Sequence, residues 1–374
     1  MFTTKKRAVV SVINDLVTDS RVQKTCTVLT EAGYEVLVIG RKLPDSLPIP
    51  VWNYKAVRLH LLFKKGPLFY FFFNLRLFFK LLFTKADLLF ANDLDTLWPN
   101  YQVAKLKGIK LIYDSHELFC EVPELTNSPM KKKIWERLEG SIVPKLPNCI
   151  TVNQSIADIF KTKYRVSFEV IRNIPEKTEF LRVGREKLGL PLNKKVILLQ
   201  GAGINIDRGA EELVKAMAEV EEAILLMIGG GDVWKKLEML IKEMHLENKV
   251  RLIKKLPKRE LLQYTVEADL GISIDKNSNL NYYNSLPNKI FDYLQAGVPV
   301  LCSPLPELEK VIKLHDSGWF IDSHDPKDLG KKIKSILNSE ELIRKRANAL
   351  LTSEELSWSK EKEKYLSFIK AIQG

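Results

Sequence analysis

The chain has 374 residues, 45% of them apolar and 28% charged, with a net charge of +12. That length exceeds one ordinary core and that apolar fraction excludes a disordered chain, so two folded domains are the expectation. Four scattered cysteines (Cys26, Cys120, Cys149, Cys302) with no Cys-x-x-Cys pair, and five histidines without metal-ligand spacing, exclude a disulfide scaffold and a zinc site.

The first element in the chain is an apolar strand over Ala8 to Ile13. A polar loop, Asn14 to Ser20, leads to a helix from about Arg21 to Ala32, which Gly33 ends before a second strand, Tyr34 to Gly40. Strand, loop, helix, glycine and strand in that order is the βαβ pattern of a parallel sheet. Asp19 caps the helix, with a substrate role for Asp19 or Arg21 as an additional option. The segment Leu59 to Phe90 holds nine of the seventeen phenylalanines. Within it, Pro67 to Lys85 suits a helix of roughly 27 Å. Arg76, Lys80 and Lys85 interrupt its apolar run, so it falls short of a bilayer span. It is either a core helix covering the sheet or a helix lying in an anionic membrane surface, and the basic flanks favour the second. Further strands are expected at Leu88 to Ala91, Lys110 to Tyr113, Cys149 to Val152 and Phe168 to Ile171.

From Asn173 to Lys194 the pattern breaks into a linker. It then restarts with strand Val196 to Gly201, helix Ala210 to Val220, strand Ala223 to Gly229, helix Val233 to Met244 and strand Val250 to Ile253. Helix Lys258 to Ala268, strand Leu270 to Ile274, helix Lys289 to Ala296 and strand Val300 to Cys302 follow. This is a second doubly wound domain. Trp358 to Ile372 reads as an amphipathic helix that crosses back to the first domain. The expected ranges are 1–175, 190–352 and 353–374. Two open sheets in series direct their ligand sites toward a shared cleft. Positive charge concentrates in residues 1–180, with 27 Lys and Arg against 18 Asp and Glu, or +9. That favours an anionic partner. No zinc finger, RNA-recognition motif or helix-turn-helix pattern appears, so nucleic acid is set aside.

Several segments carry candidate chemistry. In Asn284 to Val300 (NSLPNKIFDYLQAGVPV), Pro287 and Asn288 start a helix whose free N–H groups suit a phosphate. Lys289 adds a full charge in the first turn, and Asp292 is placed to accept from sugar hydroxyls. Gly201-Ala-Gly-Ile-Asn-Ile-Asp-Arg-Gly209 joins a strand to a helix: Gly201 and Gly203 allow close backbone approach, and Arg208 can bind phosphate bidentately. Ile206 stands where a dinucleotide fingerprint has its third glycine, and the loop lacks the Gly-Lys-Ser/Thr of a P-loop. Gly229-Gly-Gly231, with Gly230 at its centre, likewise opens a helix. Asp114-Ser-His-Glu117 follows a strand, where His116 is placed to position or deprotonate an acceptor hydroxyl and Glu117 to orient it, or else His116 caps the next helix. Asn92-Asp93 ends a neighbouring strand.

Taken together, DSRVQKTCTVLTEAGYEVLVIG, KLIYDSHE, VIRNIP, IGGGDVWKKLEMLIKEMHLENKVRLI and above all PNKIFDYLQAGVPV resemble the retaining glycosyltransferases of family 4. The resemblance covers nearly the whole chain. It implies the GT-B architecture, two Rossmann-like domains facing a cleft with a crossing C-terminal helix. It implies transfer from a nucleotide-diphosphate sugar to a glycan or lipid-linked acceptor, in cell-surface polysaccharide or lipopolysaccharide synthesis, without a metal or resident cofactor. Arg208 and Lys289 would bind the donor diphosphate, Asp292 the ribose hydroxyls, Gly201 to Gly203 the reacting sugar and phosphate, and His116 the acceptor side. The family's first motif glutamate is Asn284 here, its second is Asp292, and its usual loop arginine is replaced at Ala202 and Gly203. An epimerase of the same shape, or a non-catalytic nucleotide-sugar scaffold, is the alternative. With no signal peptide in the sequence, a cytoplasmic protein held peripherally at the inner membrane face is expected.

Overall fold

The computed structural model describes residues 5–44, 46–180 and 182–373. Residues 1–4 and 374, which fall in the expected domain ranges, lie outside them. The chain divides into two compact units, Met1–Asn173 with Ser359–Gly374, and Ile174–Trp358.

The first unit is built on a parallel sheet of seven strands: β1 (Arg7–Ser11), β2 (Glu35–Arg41), β3 (Lys55–Leu59), β4 (Leu88–Asn92), β5 (Lys110–Ser115), β6 (Cys149–Thr151) and β7 (Glu169–Val170). Their order is β3-β2-β1-β4-β5-β6-β7. Val10 sits level with Val38 on one side and Phe90 on the other. The order reverses between β1 and β4, and this is where an open sheet offers a crevice beyond its strand ends. Helix Ser20–Glu31 begins at Asp19, whose side chain accepts from Val22 N, so Asp19 serves as the cap. Helix Gly66–Leu82 buries Phe69, Phe73, Leu77 and Leu81 on the sheet, one residue per turn. The tail helix Trp358–Gln373 packs in this unit: Tyr365 is buried and shares a 3.0 Å hydrogen bond with Thr25, and Glu361 accepts from Arg172 N at 2.9 Å. Residues 353–355 belong instead to the preceding helix, Glu341–Glu355, in the second unit.

The second unit has six parallel strands: β8 (Lys195–Gly201), β9 (Ala223–Gly229), β10 (Val250–Lys254), β11 (Leu270–Ser273), β12 (Val300–Cys302) and β13 (Gly318–Phe320), in the order β10-β9-β8-β11-β12-β13. Its reversal lies between β8 and β11. Strands β8 and β9 are nearly wholly buried, which is why they read as unbroken apolar runs. Both sheets thus have the doubly wound form. Two strands were not expected from the sequence, β3 and β13. Both are edge strands, short and only partly buried, so neither carries a continuous apolar run.

Candidate active site

The carboxyl edge of the second sheet gathers three charged side chains at the β8/β11 reversal. Arg208 comes from the loop after β8, Asp275 follows β11, and Lys289 lies in the first turn of helix Asn288–Gln295. Gly209 makes the loop possible: at φ +75, any Cβ would stand 2.5 Å from Ile274 O. Arg208 Nη1 donates to Asp275 Oδ2 at 2.7 Å, and its guanidinium lies 4.0 Å over the Tyr282 ring. Its buried Nε has no hydrogen-bond partner among the described residues. Lys289 Nζ stops 4.0 Å from Asp275 Oδ1, beyond hydrogen-bond reach, and that oxygen is also unpartnered. Among the described residues the Lys289 ammonium makes no hydrogen bond to the protein, although its side chain is only 13% exposed.

Two cations therefore share one buried carboxylate, leaving an excess positive charge. Burial lowers the Lys289 pKa; Asp275 opposes that shift and Arg208 adds to it by repulsion. Burial also works against the charge on Arg208, but Asp275 and Tyr282 outweigh it and raise its pKa. A largely buried ammonium with no hydrogen bond among the described residues marks a candidate anion site.

The glycines around this edge divide into two kinds. A Cβ on Gly229 would fall 1.8 Å from Gly201 O, and one on Gly231 2.0 Å from Ile204 O. These two glycines let the loops after β8 and β9 lie against each other. Gly201, Gly203 and Gly230 face no such demand: a Cβ there meets nothing closer than 3.5 Å. At these positions the backbone is open to approach by a ligand.

Asp292 does not join Arg208 and Lys289. Its carboxylate accepts from Gln200 Nε2 at 3.0 Å and pairs with Lys258, while Gln200 Oε1 accepts from Thr265 Oγ1 at 2.8 Å. Asn284 is buried, and its Nδ2 donates to Leu280 O at 2.7 Å, so its amide closes the short helix Leu280–Tyr283. Pro287 precedes the first turn of helix Asn288–Gln295 with extended backbone, and Asn288 is exposed at its start. Sequence reading missed Asp275, Tyr282, Lys258 and Gln200. Asp275 had one usable signal: it is the first charged residue after the strand segment Leu270 to Ile274, at the carboxyl edge of the sheet.

In the first unit, His116 sits between two acids. Its Nδ1 lies 3.0 Å from Asp93 Oδ2, and its Nε2 lies 3.2 Å from Asp114 Oδ2 in a contact too bent for a good hydrogen bond. Asp114 in turn takes Arg21 through both oxygens, at 2.9 and 2.7 Å, and Arg21 Nη1 donates to Ile171 O. Asp93 adopts φ 58 and accepts from His116 N. Burial opposes the charge on His116, yet Asp93 and Asp114 raise its pKa well above the ordinary value. Burial likewise opposes Asp114, but Arg21 and His116 hold it down to about 2. With its pKa raised and carboxylates facing both ring nitrogens, His116 is suited to ordering this edge. Arg21 is buried and spends three of its N–H donors on Asp114 and Ile171, which ties it to the fold of this edge.

Helix Gly66–Leu82 carries a second stripe opposite its buried one. Leu68, Phe71 and Phe79 are exposed along it, Phe83 follows at 82% exposure, and Lys64, Lys65, Arg76 and Lys80 are exposed beside them. Among the described residues no helix is long and apolar enough to cross a membrane, and no group of histidine, cysteine or acidic residues could hold a metal ion.

The family model of Glycosyltransferase Family 4 matches residues 20–176, and that of Glycosyl transferases group 1 matches residues 183–350. The chain belongs to glycosyltransferase family 4. A curated relative, the chitobiosyldiphosphodolichol beta-mannosyltransferase of Candida albicans, is 22% identical over 278 residues, which are 67% of this chain and 59% of that protein. The chain therefore spans less than two thirds of that relative. Among solved structures, sucrose-phosphate synthase from Thermosynechococcus elongatus superposes with a TM-score of 0.82 at 18% identity, covering 98% of this chain and 99% of the other. Anabaena HepE in complex with UDP-glucose gives 0.73 at 14% identity, covering 98% and 99%. At such identities the structural likeness carries the fold alone, and that fold is the GT-B type.

Proposed function

We propose that this family 4 glycosyltransferase moves a sugar from a nucleotide-diphosphate donor, bound by the second unit, to a glycan or lipid-linked acceptor served by the first. The observation that carries the reading is the largely buried Lys289 ammonium, which has no hydrogen-bond acceptor among the described residues and stands beside Arg208 at the sheet reversal. A diphosphate supplies the oxygens both cations lack. Gly201, Gly203 and Gly230 leave room for it, and Asn288 opens the adjacent helix whose N–H groups favour an anion. As the acceptor oxygen bonds to the sugar's anomeric carbon, the bond to the diphosphate breaks. Arg208 and Lys289 stabilise the charge that builds there, and the leaving diphosphate takes the acceptor proton. On this reading no metal or resident cofactor takes part. Residues 1–175 act as the acceptor domain and 190–352 as the donor domain.

Transfer with retention follows from the same family reading, as does a role in cell-surface polysaccharide or lipopolysaccharide synthesis. The HepE structure, a complex with UDP-glucose, supports a nucleotide-sugar donor. The exposed Phe71, Phe79 and Phe83 beside Lys64, Lys65, Arg76 and Lys80 support attachment to an anionic bilayer, where a lipid-linked acceptor would be met. A thermal-shift panel of UDP, GDP, ADP and their sugar conjugates tests the donor site: one nucleotide should raise the melting temperature in wild type and not in Lys289→Ala. No shift with any of them would overturn the reading. Proton NMR of the product tests the stereochemistry, and a β-linked product from an α-linked donor would overturn retention while leaving the donor site standing.

A further inference from the structure

We propose that Lys258 is a specificity-determining residue for the donor nucleotide: fixed on Asp292, its ammonium donates to the ribose hydroxyls. The inference rests on reading the second unit as the nucleotide-sugar site. Family resemblance gives the ribose to the acid at position 292, but this chain has an aspartate there, one methylene shorter than the expected glutamate. That carboxylate is engaged from two sides by one helix. Lys258, the first residue of helix Lys258–Glu267, pairs with Asp292 directly. Thr265, two turns on, holds Gln200, which donates to the same carboxylate.

The two members of this pair differ in access. Asp292 is buried, with its side chain 8% exposed, whereas Lys258 is 52% exposed. An ammonium has three donors. Asp292 takes one, and among the described residues the other two have no protein partner. Lys258 thus reaches outward from the position of the shortened acid, at the end of β10 on the carboxyl edge of the sheet. An ammonium held in place by a carboxylate suits a pair of adjacent hydroxyls: its free N–H groups donate to their oxygens, and its freedom has already been reduced by the ion pair. The neighbouring basic residues Lys254, Lys255 and Arg259 lack this restraint: among the described residues no side-chain hydrogen bond or ion pair ties them to the site.

The test is isothermal titration of the full chain with UDP and GDP and with the 2′-deoxy and 3′-deoxy form of each. It compares wild type with Lys258→Met, which keeps the stem, and Lys258→Arg, which keeps the donors. Wild type should bind one ribonucleotide about tenfold or more tightly than a deoxy form, as expected for losing a hydrogen bond to a charged group. Lys258→Met should bind both forms alike, and Lys258→Arg should keep the preference. Thermal melting without nucleotide verifies that both variants are folded. Retention of the wild-type preference by Lys258→Met overturns the inference and leaves the nucleotide site intact, as does the absence of any preference in wild type. Wild type that binds no nucleotide in either form overturns the nucleotide-site reading, and this inference with it.

Discussion

Replacing Lys289 with methionine separates the cost of the candidate site to the fold from its use to the reaction. The ammonium is nearly buried, makes no hydrogen bond to the protein among the described residues, and lies 4.0 Å from a carboxylate that Arg208 already holds. Removing it costs the empty protein no hydrogen bond: the attraction to Asp275 is lost, but the burial of a charge, the larger effect, and the repulsion from Arg208 are relieved, so the melting temperature should stay level or rise. The complex with a diphosphate should suffer. A unit charge pair at 4 Å attracts by about 4 kcal/mol at an effective dielectric of 20, and desolvation reduces a charge-assisted hydrogen bond to about 1.5–3 kcal/mol net. That is roughly a 10- to 150-fold loss in nucleotide affinity. Where the charge builds further in the transition state, kcat should fall by about 10². Titration calorimetry with the cognate nucleotide and steady-state kinetics with its sugar conjugate measure the two losses. The pH dependence gives an independent check. Because the Lys289 pKa is lowered, the free protein loses this charge at a lower pH than an ordinary lysine would. Wild-type nucleotide affinity should fall on the alkaline side, and Lys289→Met should lack that limb. Affinity and turnover within twofold of wild type would refute the reasoning. Arg208→Ala should behave differently, since it leaves Asp275 buried without its partner and should destabilise the fold by about 3–5 kcal/mol as well as impair transfer.

Three further outcomes follow from the same geometry. His116 has a raised pKa, so its pairing with Asp93 and Asp114 contributes stability in full below the unfolded value of 6.5 and loses it as pH rises through the folded value. Chemical denaturation should therefore show wild-type stability declining from neutral into alkaline pH, with Asp93→Asn flattening that decline. Gly229→Ala should cost at least about 1–3 kcal/mol by thermal melting, because its φ of 150 suits glycine alone and its Cβ would strike Gly201 O, whereas Gly230→Ala should melt like wild type. Phe71→Ser with Phe83→Ser should weaken cosedimentation with anionic vesicles and leave turnover on a soluble acceptor unchanged, and equal vesicle binding would refute attachment through this stripe.

Much of the fold was legible because the buried strands announce themselves. Strands β8 and β9 are apolar nearly end to end, and Gly33 and Asp19 mark helix boundaries by geometry that only certain residues adopt or supply. Edge strands such as β3 were hidden because partial exposure lets charges such as Lys55 and Arg58 into them. The site was legible where a residue type has few alternative uses, as with Lys289 in a first helical turn. It was obscure where the meaning depends on a distant partner. Asp292 looked available until Gln200, 92 residues away in sequence, and Lys258, 34 away, were found to share it. For His116 the sequence left positioning, proton removal and helix capping open, because it could not show Asp93 and Asp114 on either side of the ring.

The chain Arg21–Asp114–His116–Asp93 consists of alternating charged and polar partners largely shielded from solvent, whereas Lys64, Lys65, Arg76 and Lys80 stand in water. Dissolved ions reach the second set and not the first, since screening over about 8 Å at physiological ionic strength acts on exposed charges. Ionic strength therefore distinguishes two kinds of electrostatics in one domain: added salt should weaken the proposed attraction of the basic rim for an anionic surface while the internal order of the edge around His116 persists.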